Sequence, residues 1–308
     1  MKLSLSTNWC NRRIESGEEI AEKALELGFS ELELGYHTTL LQAKGFKQMA
    51  DRLPVGSIHA FCPVPLSAPQ GYPELYTLAS MDEDARALAR VHLTKNIRFA
   101  AEMGADTVVL HAGRVSFSSF FRRLDTGTLS ETLRTADKKT DDKKYQKRLA
   151  RARTVRTANG KKMLEVFRVE LEKLLPVLQE NRVTLALENM PYYEGFPLAA
   201  EMETVLGWPL DGLVKSWFDT GHARVCACHG WQDAILGPLA ESFVGLHLND
   251  VKDLSDDHLA PSFGNVDFAA LKPIAEKARH VVFEPNAGVS EEDLRKGVEF
   301  IKKEWSLK

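Results

Sequence analysis

Four apolar, strand-like runs in the second half of the chain each end in a side chain able to hold a metal. Glu188 closes Val-Thr-Leu-Ala-Leu-Glu, Asp219 a run ending Phe-Asp, His247 Gly-Leu-His, and Glu284 Val-Val-Phe-Glu. Three carboxylates and an imidazole suit a divalent cation of intermediate hardness, Mn, Co, Mg or Zn. Such an ion polarises a carbonyl or activates water. A carboxylate beside it can take a proton from carbon when its geometry and pKa allow. Further candidates hold comparable places: His59 in Ser-Ile-His, His111 in Val-Leu-His, His222 three residues past Asp219, and Asp256 and His258 beyond the run that ends near His247. Each of these alone is more readily a core or loop residue. All of them at run ends read as additional metal or substrate ligands.

The elements that must carry these residues alternate along the chain. Strands are expected over 2–8, 31–36, 55–61, 105–111, 183–189, 213–219, 243–249 and 280–285. Helices are expected near 17–27, 40–51, 83–103, 162–180, 198–206, 231–240, 267–278 and 290–304. Each crossover between parallel strands needs a helix to bring the chain back. Eight such units in 308 residues predict an α/β fold of one closed (β/α)8 TIM barrel over 1–308. Side chains alternate along a strand, so parity assigns the faces. Val183, Leu185 and Leu187 oppose Thr184, Ala186 and Glu188; Leu3 and Leu5 oppose Ser4, Ser6 and Asn8; Val244, Leu246 and Leu248 oppose Phe243, Gly245, His247 and Asn249. The ligating residues fall on the small-residue face near the C-terminal strand ends, which is the catalytic end of barrel enzymes. Glu33 shares parity with Gly35 and His37, and either faces the site or makes a structural hydrogen bond. Trp9, Phe61, Tyr192 and Trp217 stand near strand ends as apolar walls or as core.

Composition narrows the function classes. With 44% hydrophobic residues and a formal net charge of −3, the chain can bury one large core, and its charge gives no global pull toward nucleic acid or membrane. No apolar run reaches the roughly 18 residues a membrane span needs. The first eight residues alternate apolar and polar and read as a first strand, not a signal peptide. Cys10 and Cys62 stand alone and Cys226 and Cys228 are two apart, so neither a disulfide framework nor a CxxC pair is expected. A reducing, cytoplasmic setting follows as the expectation.

One segment exceeds the minimal unit. Residues 114–161, between the fourth strand and its helix, form a basic insertion; with Lys162 included it holds 15 Lys or Arg against five acids. Long loops inside compact domains are functional or disordered. This one is expected to leave the barrel at its catalytic end, as a lid or partner-binding arm, or as a solvated helical excursion or subunit contact.

Five motifs, in order, resemble the xylose isomerase-like TIM barrel superfamily: Leu-Glu-Asn at 187–189, Asp-Thr-Gly-His at 219–222, His-Leu-Asn-Asp at 247–250, Asp-Asp-His-Leu-Ala-Pro at 256–261 and Phe-Glu-Pro at 283–285. The resemblance spans nearly the whole chain apart from the insertion. It implies that Glu188, Asp219, His247 and Glu284 hold a shared metal. It also implies that Glu188 and Glu284 double as acid and base, that His222 contacts substrate, and that Lys252 is a second contact or a solvated loop lysine. The activity implied is a divalent-metal-dependent isomerase or epimerase of a small sugar, sugar phosphate or related polyhydroxy carbonyl compound, acting by proton transfer through an enediolate. A homo-oligomer would fit such a protein.

The same motifs resemble the endonuclease IV-like branch, which uses three zinc ions to hydrolyse phosphodiesters at abasic sites in DNA. Its nine ligand types find counterparts at His59, His111, Glu188, Asp219, His222, His247, Asp256, His258 and Glu284, and the insertion would then contact phosphates. Two motifs depart from that branch: His-Ala-Gly at 111–113 where it shows His-Pro-Gly, and Asp-Thr-Gly-His where it shows Asp-Thr-Cys-His. The sugar branch is therefore the leading expectation. A barrel that binds a metal or sugar without turnover is the third, since one fold hosts many functions.

Overall fold

A computed structural model describes residues 1–115, 143–231, 239–252 and 255–307. Its strands are β1 (Ser4–Ser6), β2 (Glu31–Leu34), β3 (Val55–His59), β4 (Thr107–Leu110), β5 (Gly113–Arg114), β6 (Thr184–Glu188), β7 (Gly195–Phe196), β8 (Val214–Asp219), β9 (Phe243–Leu248) and β10 (His280–Phe283). Its α-helices are α1 (Gly17–Glu26), α2 (Leu40–Met49), α3 (Glu83–Met103), α4 (Lys143–Asn181), α5 (Ala199–Leu206), α6 (Thr220–Cys228), α7 (Lys272–Ala275) and α8 (Glu291–Glu304). Eight strands close a barrel in the order β1-β10-β9-β8-β6-β4-β3-β2, and β5 and β7 form a separate antiparallel pair. Neighbouring barrel strands are parallel, so the expected (β/α)8 barrel is the fold. The four cysteines are all free.

Local sequence explains where the helices begin. Ser16, Asp82 and Ser290 accept from the backbone N–H three residues on and cap α1, α3 and α8, and Thr39 with Gln42 makes a capping box for α2. Three helical expectations change. Among the described residues the helix expected over 162–180 extends back to Lys143, taking in residues 143–161 of the basic insertion. Met163, Phe167, Leu171, Leu174 and Leu178 bury one side of this helix at helical spacing. Farther back, Leu149 packs with Met190, Tyr192, Tyr193, Cys226 and Trp231 beside the catalytic end. The helix expected over 267–278 shrinks to a 3₁₀ turn and α7, with Pro273 at the helix start. An unexpected helix, α6, follows β8 directly because Asp219 caps it: Oδ1 accepts from His222 N at 2.7 Å. The helix expected over 231–240 falls largely on 232–238, and the insertion's 116–142 is likewise outside the described residues.

Strand parity governs the packing. Leu5, Leu32, Ile58, Val108, Leu185, Leu246 and Val281 join the core between sheet and helices. Val109, Ala186, Trp217, Val244 and Val282 form a separate cluster inside the barrel. Val244 and Phe243 reverse the expected sides. A register shift pairs Ser216 with Phe243 and Trp217 with Gly245, and this bulge turns Val244 inward while Phe243 packs on Phe218 outside, 5.1 Å between ring centroids.

Of the two places expected for Trp217, wall or core, the structure has the core. It is fully buried, and its ring lies 5.0 Å from His247 above and 6.0 Å from His280. It is the floor of the site. Below it His280 bonds to Asp106 at 2.9 Å and Thr107 at 3.2 Å, filling the lower end of the barrel with satisfied polar groups. A Cβ on Gly245 would lie 2.2 Å from the Trp217 ring. Gly245→Ala is therefore expected to destabilise the protein by about 1–3 kcal/mol, read as a lower midpoint of denaturant unfolding.

Candidate metal centre

The barrel brings the four strand-end ligands together. Glu188 and Asp219 end β6 and β8, His247 lies in β9, and Glu284 follows β10. Nδ1 of His247 is 3.1 Å from both Glu188 Oε1 and Glu284 Oε2 and 3.8 Å from Asp219 Oδ2. One ligand atom from each of these four residues falls within 4.8 Å of the others. Two more sets share their carboxylates: His59 and His111 with Glu188, and His222 and His258 with Asp219. His111 Nε2 and His59 Nε2 are 3.0 and 3.2 Å from Glu188 Oε2. Asp256 borders the third set, 3.7 Å from His222 Nε2 and 3.3 Å from His258 Nε2. All nine candidate ligands thus meet at one end of one barrel.

The imidazoles are aimed by their other nitrogens. His59 Nδ1 is 2.8 Å from Ala60 O, His222 Nδ1 2.8 Å from Asn189 O, and His258 Nδ1 2.9 Å from Glu284 O. His247 Nε2 is held by the Glu33 carboxylate at 3.0 Å, and Glu33 in turn accepts from Ser57 Oγ at 2.8 Å. Anchoring one ring nitrogen fixes the tautomer and leaves the other to a metal. Of the two roles expected for Glu33, the geometry supports the structural one: it is fully buried beneath His247, not on a substrate surface. Lys252 is exposed and lies off the pocket wall.

Sequence reasoning missed the asparagines of this shell. Asn189 donates to Asp219 O at 3.0 Å and accepts from Asp219 N at 2.8 Å. Asn249 donates to Asp219 Oδ2 at 2.6 Å, and Asn8 to Glu284 Oε1 at 3.3 Å. The signal was present for two of them, since Asn189 and Asn249 sit inside the Leu-Glu-Asn and His-Leu-Asn-Asp motifs. Glu74 carried no such signal, yet its Oε1 comes within 4.0 Å of His111 Nδ1.

Charge and burial set the electrostatics. Burial alone would lower the His247 pKa, but Glu284, Glu33 and Glu188 hold it well above its ordinary value. Burial likewise opposes His258, which Asp256 and Glu284 raise well above normal, and His222 and His59, which Asp219 and Glu188 respectively raise. His111 goes the other way: burial drives it down to about 4. Although burial opposes it, His247 and His111 keep Glu188 well below the usual carboxylate range, while burial raises Asp219 and Glu284. Buried carboxylates facing imidazoles, of which His59, His222, His247 and His258 have their far nitrogens anchored and His111 does not, are a donor set that fits divalent cations.

Above these ligands opens a cavity of about 300 Å³. His59, His111, His222, Asp256, His258 and Glu284 reach its surface, and Tyr36, Tyr72, Glu74, Arg114 and Tyr192 build its walls. Of the aromatics considered as walls, only Tyr192 lines this cavity. Trp9 donates to Val289 O at 2.8 Å within the core, and Phe61 stacks edge-on against Tyr76, 5.0 Å between centroids. Glu188, Asp219 and His247 lie beneath the cavity surface.

The fold is a closed parallel barrel whose C-terminal strand ends gather carboxylate and imidazole groups that could hold a metal ion. Residues 21–304 match the model for the xylose isomerase-like TIM barrel, and the chain belongs to that family. A D-tagatose 3-epimerase-like protein is similar in structure, with a TM-score of 0.67 and 20% identity, covering 100% of this chain and 98% of its own. So is 3-keto-D-glucoside 4-epimerase from E. coli, at TM-score 0.66 and 17% identity over 98% of this chain and 99% of its own. The TTHB071 protein of Thermus thermophilus, from crystals soaked in ZnCl2, has TM-score 0.60 and 22% identity over 99% and 98% of the two chains. No curated protein matches the sequence. Among the described residues no helix is long and apolar enough to cross a membrane.

Proposed function

We propose that the protein is a divalent-metal-dependent isomerase or epimerase of a small polyhydroxylated carbonyl compound. The observation that carries this reading is the convergence of Glu188, Asp219, His247 and Glu284 under a cavity whose size and tyrosine-bearing walls suit a small sugar. These four residues would hold the ion, which supplies a Lewis acid for the substrate's carbonyl and neighbouring oxygen. Glu284 reaches the cavity, whereas Glu188 is fully buried with its Oε2 shared by two imidazoles. Proton transfer at the α-carbon is therefore assigned first to Glu284, with Asn8 holding its Oε1. Taking the proton from the α-carbon and delivering it to the former carbonyl carbon on the same face, with a proton passed from the α-hydroxyl to the former carbonyl oxygen, gives isomerisation through an enediolate. Inversion instead returns a proton to the α-carbon from the opposite face and requires Glu188 to act from below. His222 and Asp256 offer hydrogen bonds to substrate hydroxyls. The epimerase names of similar folds agree with this chemistry.

Solvent deuterium incorporation into ketoses and ketose phosphates, with Mn, Co or Mg present, tests the reading. Exchange of the α-proton is the expected result, and absence of exchange across the whole panel removes its basis. One observation favours a second reading, a zinc-dependent phosphodiesterase acting at abasic sites in DNA: eight of that branch's nine ligand types fall in three sets and the ninth, Asp256, borders one of them. Elemental analysis giving close to three zinc ions per chain, together with salt-sensitive cleavage of an abasic duplex, would transfer the assignment to it.

A further inference from the structure

Among the described residues lining the cavity, Arg114 is the one Lys or Arg; the remaining charge there is acidic or imidazole. Its placement is constrained from three directions. Its backbone belongs to β5, paired with β7 through Arg114 and Gly195, and Val115 N donates to Glu194 O at 2.8 Å. The preceding Gly113 has φ +146°, a backbone angle side-chain-bearing residues rarely adopt, which makes the turn from His111 into this short strand. Arg114 Nε donates to Glu74 Oε2 at 2.6 Å, and the guanidinium carbon lies 3.7 Å from the centroid of the Tyr192 ring. One edge and one face of the guanidinium are thereby occupied. The distal edge, with its two terminal nitrogens, remains, and the side chain is half exposed at the cavity mouth.

A guanidinium pinned in this way has already lost much of its rotamer freedom, and its free fork matches the paired oxygens of a phosphate or carboxylate. We propose that Arg114 is a specificity-determining residue that holds a terminal oxyanion of the substrate, a phosphate or a carboxylate, at the mouth of the cavity. The inference rests on the reading of this cavity as the substrate site. Glu74 and Tyr192 act as positioning residues for the fork. A purely structural alternative gives Arg114 only the task of neutralising Glu74, whose side chain is 8% exposed.

Calorimetric titration of Mn-loaded protein with glycerol 3-phosphate, glycerate and glycerol separates these roles and the two oxyanions. The expected result is that Arg114→Gln weakens binding of one or both anions by about tenfold or more and leaves glycerol unchanged, at equal metal content per chain. Arg114→Lys, which keeps the charge and loses the fork, is expected to fall between, and it carries the comparison should the glutamine variant not fold. Glu74→Gln, which keeps an acceptor for Nε and removes the competing charge, is expected to bind the anion as tightly as the parent or tighter. Equal anion affinity in the parent and both Arg114 variants overturns the proposal, as does a parent that binds neither anion more tightly than glycerol. Neither outcome depends on turnover, so absence of deuterium exchange would count against the isomerase reading alone.

Discussion

Glu188→Gln is expected to lower metal affinity by more than about 100-fold and to leave the purified protein with at most one ion per chain by elemental analysis. Loss of a group that merely orients a ligand costs about 10–100-fold, and Glu188 is a candidate ligand in two of the three sets at once. Its Oε1 faces His247 and its Oε2 faces both His59 and His111. An amide of the same shape supplies one neutral oxygen where two charged ones stood, so two sets lose their shared carboxylate together. Any reaction that needs the ion should fall in parallel. The unfolding midpoint of the metal-free variant should change far less than that of the metal-loaded one, since the substitution preserves volume and removes a buried charge. A variant that retains full metal content would show that Glu188 is a structural acceptor for the imidazoles and would remove the basis of the metal assignment.

The second large effect is a pH dependence that separates the metal-free from the metal-loaded protein. Without metal, His247, His258, His222 and His59 have raised pKa values because carboxylates surround them. A raised folded-state value gives stability that is fully present below the unfolded value of about 6.5 and is lost as pH climbs through the folded value. His111, pushed down to about 4, acts in the other direction, costing stability as pH falls from about 6.5 toward its folded value. In this cluster four raised groups against one lowered group, whose effect falls below pH 6.5, give a metal-free protein that weakens from about pH 6.5 upward. His280 is raised too, against burial, while burial lowers His37 and His92, which act below about pH 6.5. Metal takes the place of these protons, so its affinity rises over the same interval. At an ion concentration 100-fold above Kd, one site contributes about 2.7 kcal/mol, on the order of 4 °C in Tm for a chain of this size. The gap in Tm between metal-loaded and chelated protein should therefore widen from pH 6 to pH 8.5, with protons released on loading. Parallel curves would show that the imidazoles do not exchange protons for metal.

Much of this protein was legible before any tertiary structure, and the reason is periodicity. Strands of a barrel alternate between two apolar environments that differ in residue size, so Leu185 and Leu187 declare one face and Ala186 and Glu188 the other. Helix starts were written in caps such as Ser16, Asp82 and Ser290. The meeting of candidate ligands at strand ends was legible too: His59, Glu188, Asp219, His247 and Glu284 needed only the rule that one barrel end gathers them.

Other features depended on contacts between residues far apart in the chain. The bulge that turns Val244 inward is a property of two strands in register, not of either alone. Trp217 became the floor of the site because Gly245, opposite it, leaves room for its ring. Parity left Glu33 open between facing the site and a structural hydrogen bond; packing of β2 against β3 and the reach of His247 made it a buried anchor for that imidazole. Arg114 and Glu74 are 40 positions apart and meet at the cavity mouth only because β5 pairs with β7 above the barrel. The types of ligand and the end of the barrel they occupy were determined by the sequence alone, since side-chain alternation is local. Which carboxylates are shared, which imidazole nitrogen is free and which charge faces the cavity were decided by the closed barrel, because only closure brings strands from opposite parts of the chain within a few ångströms.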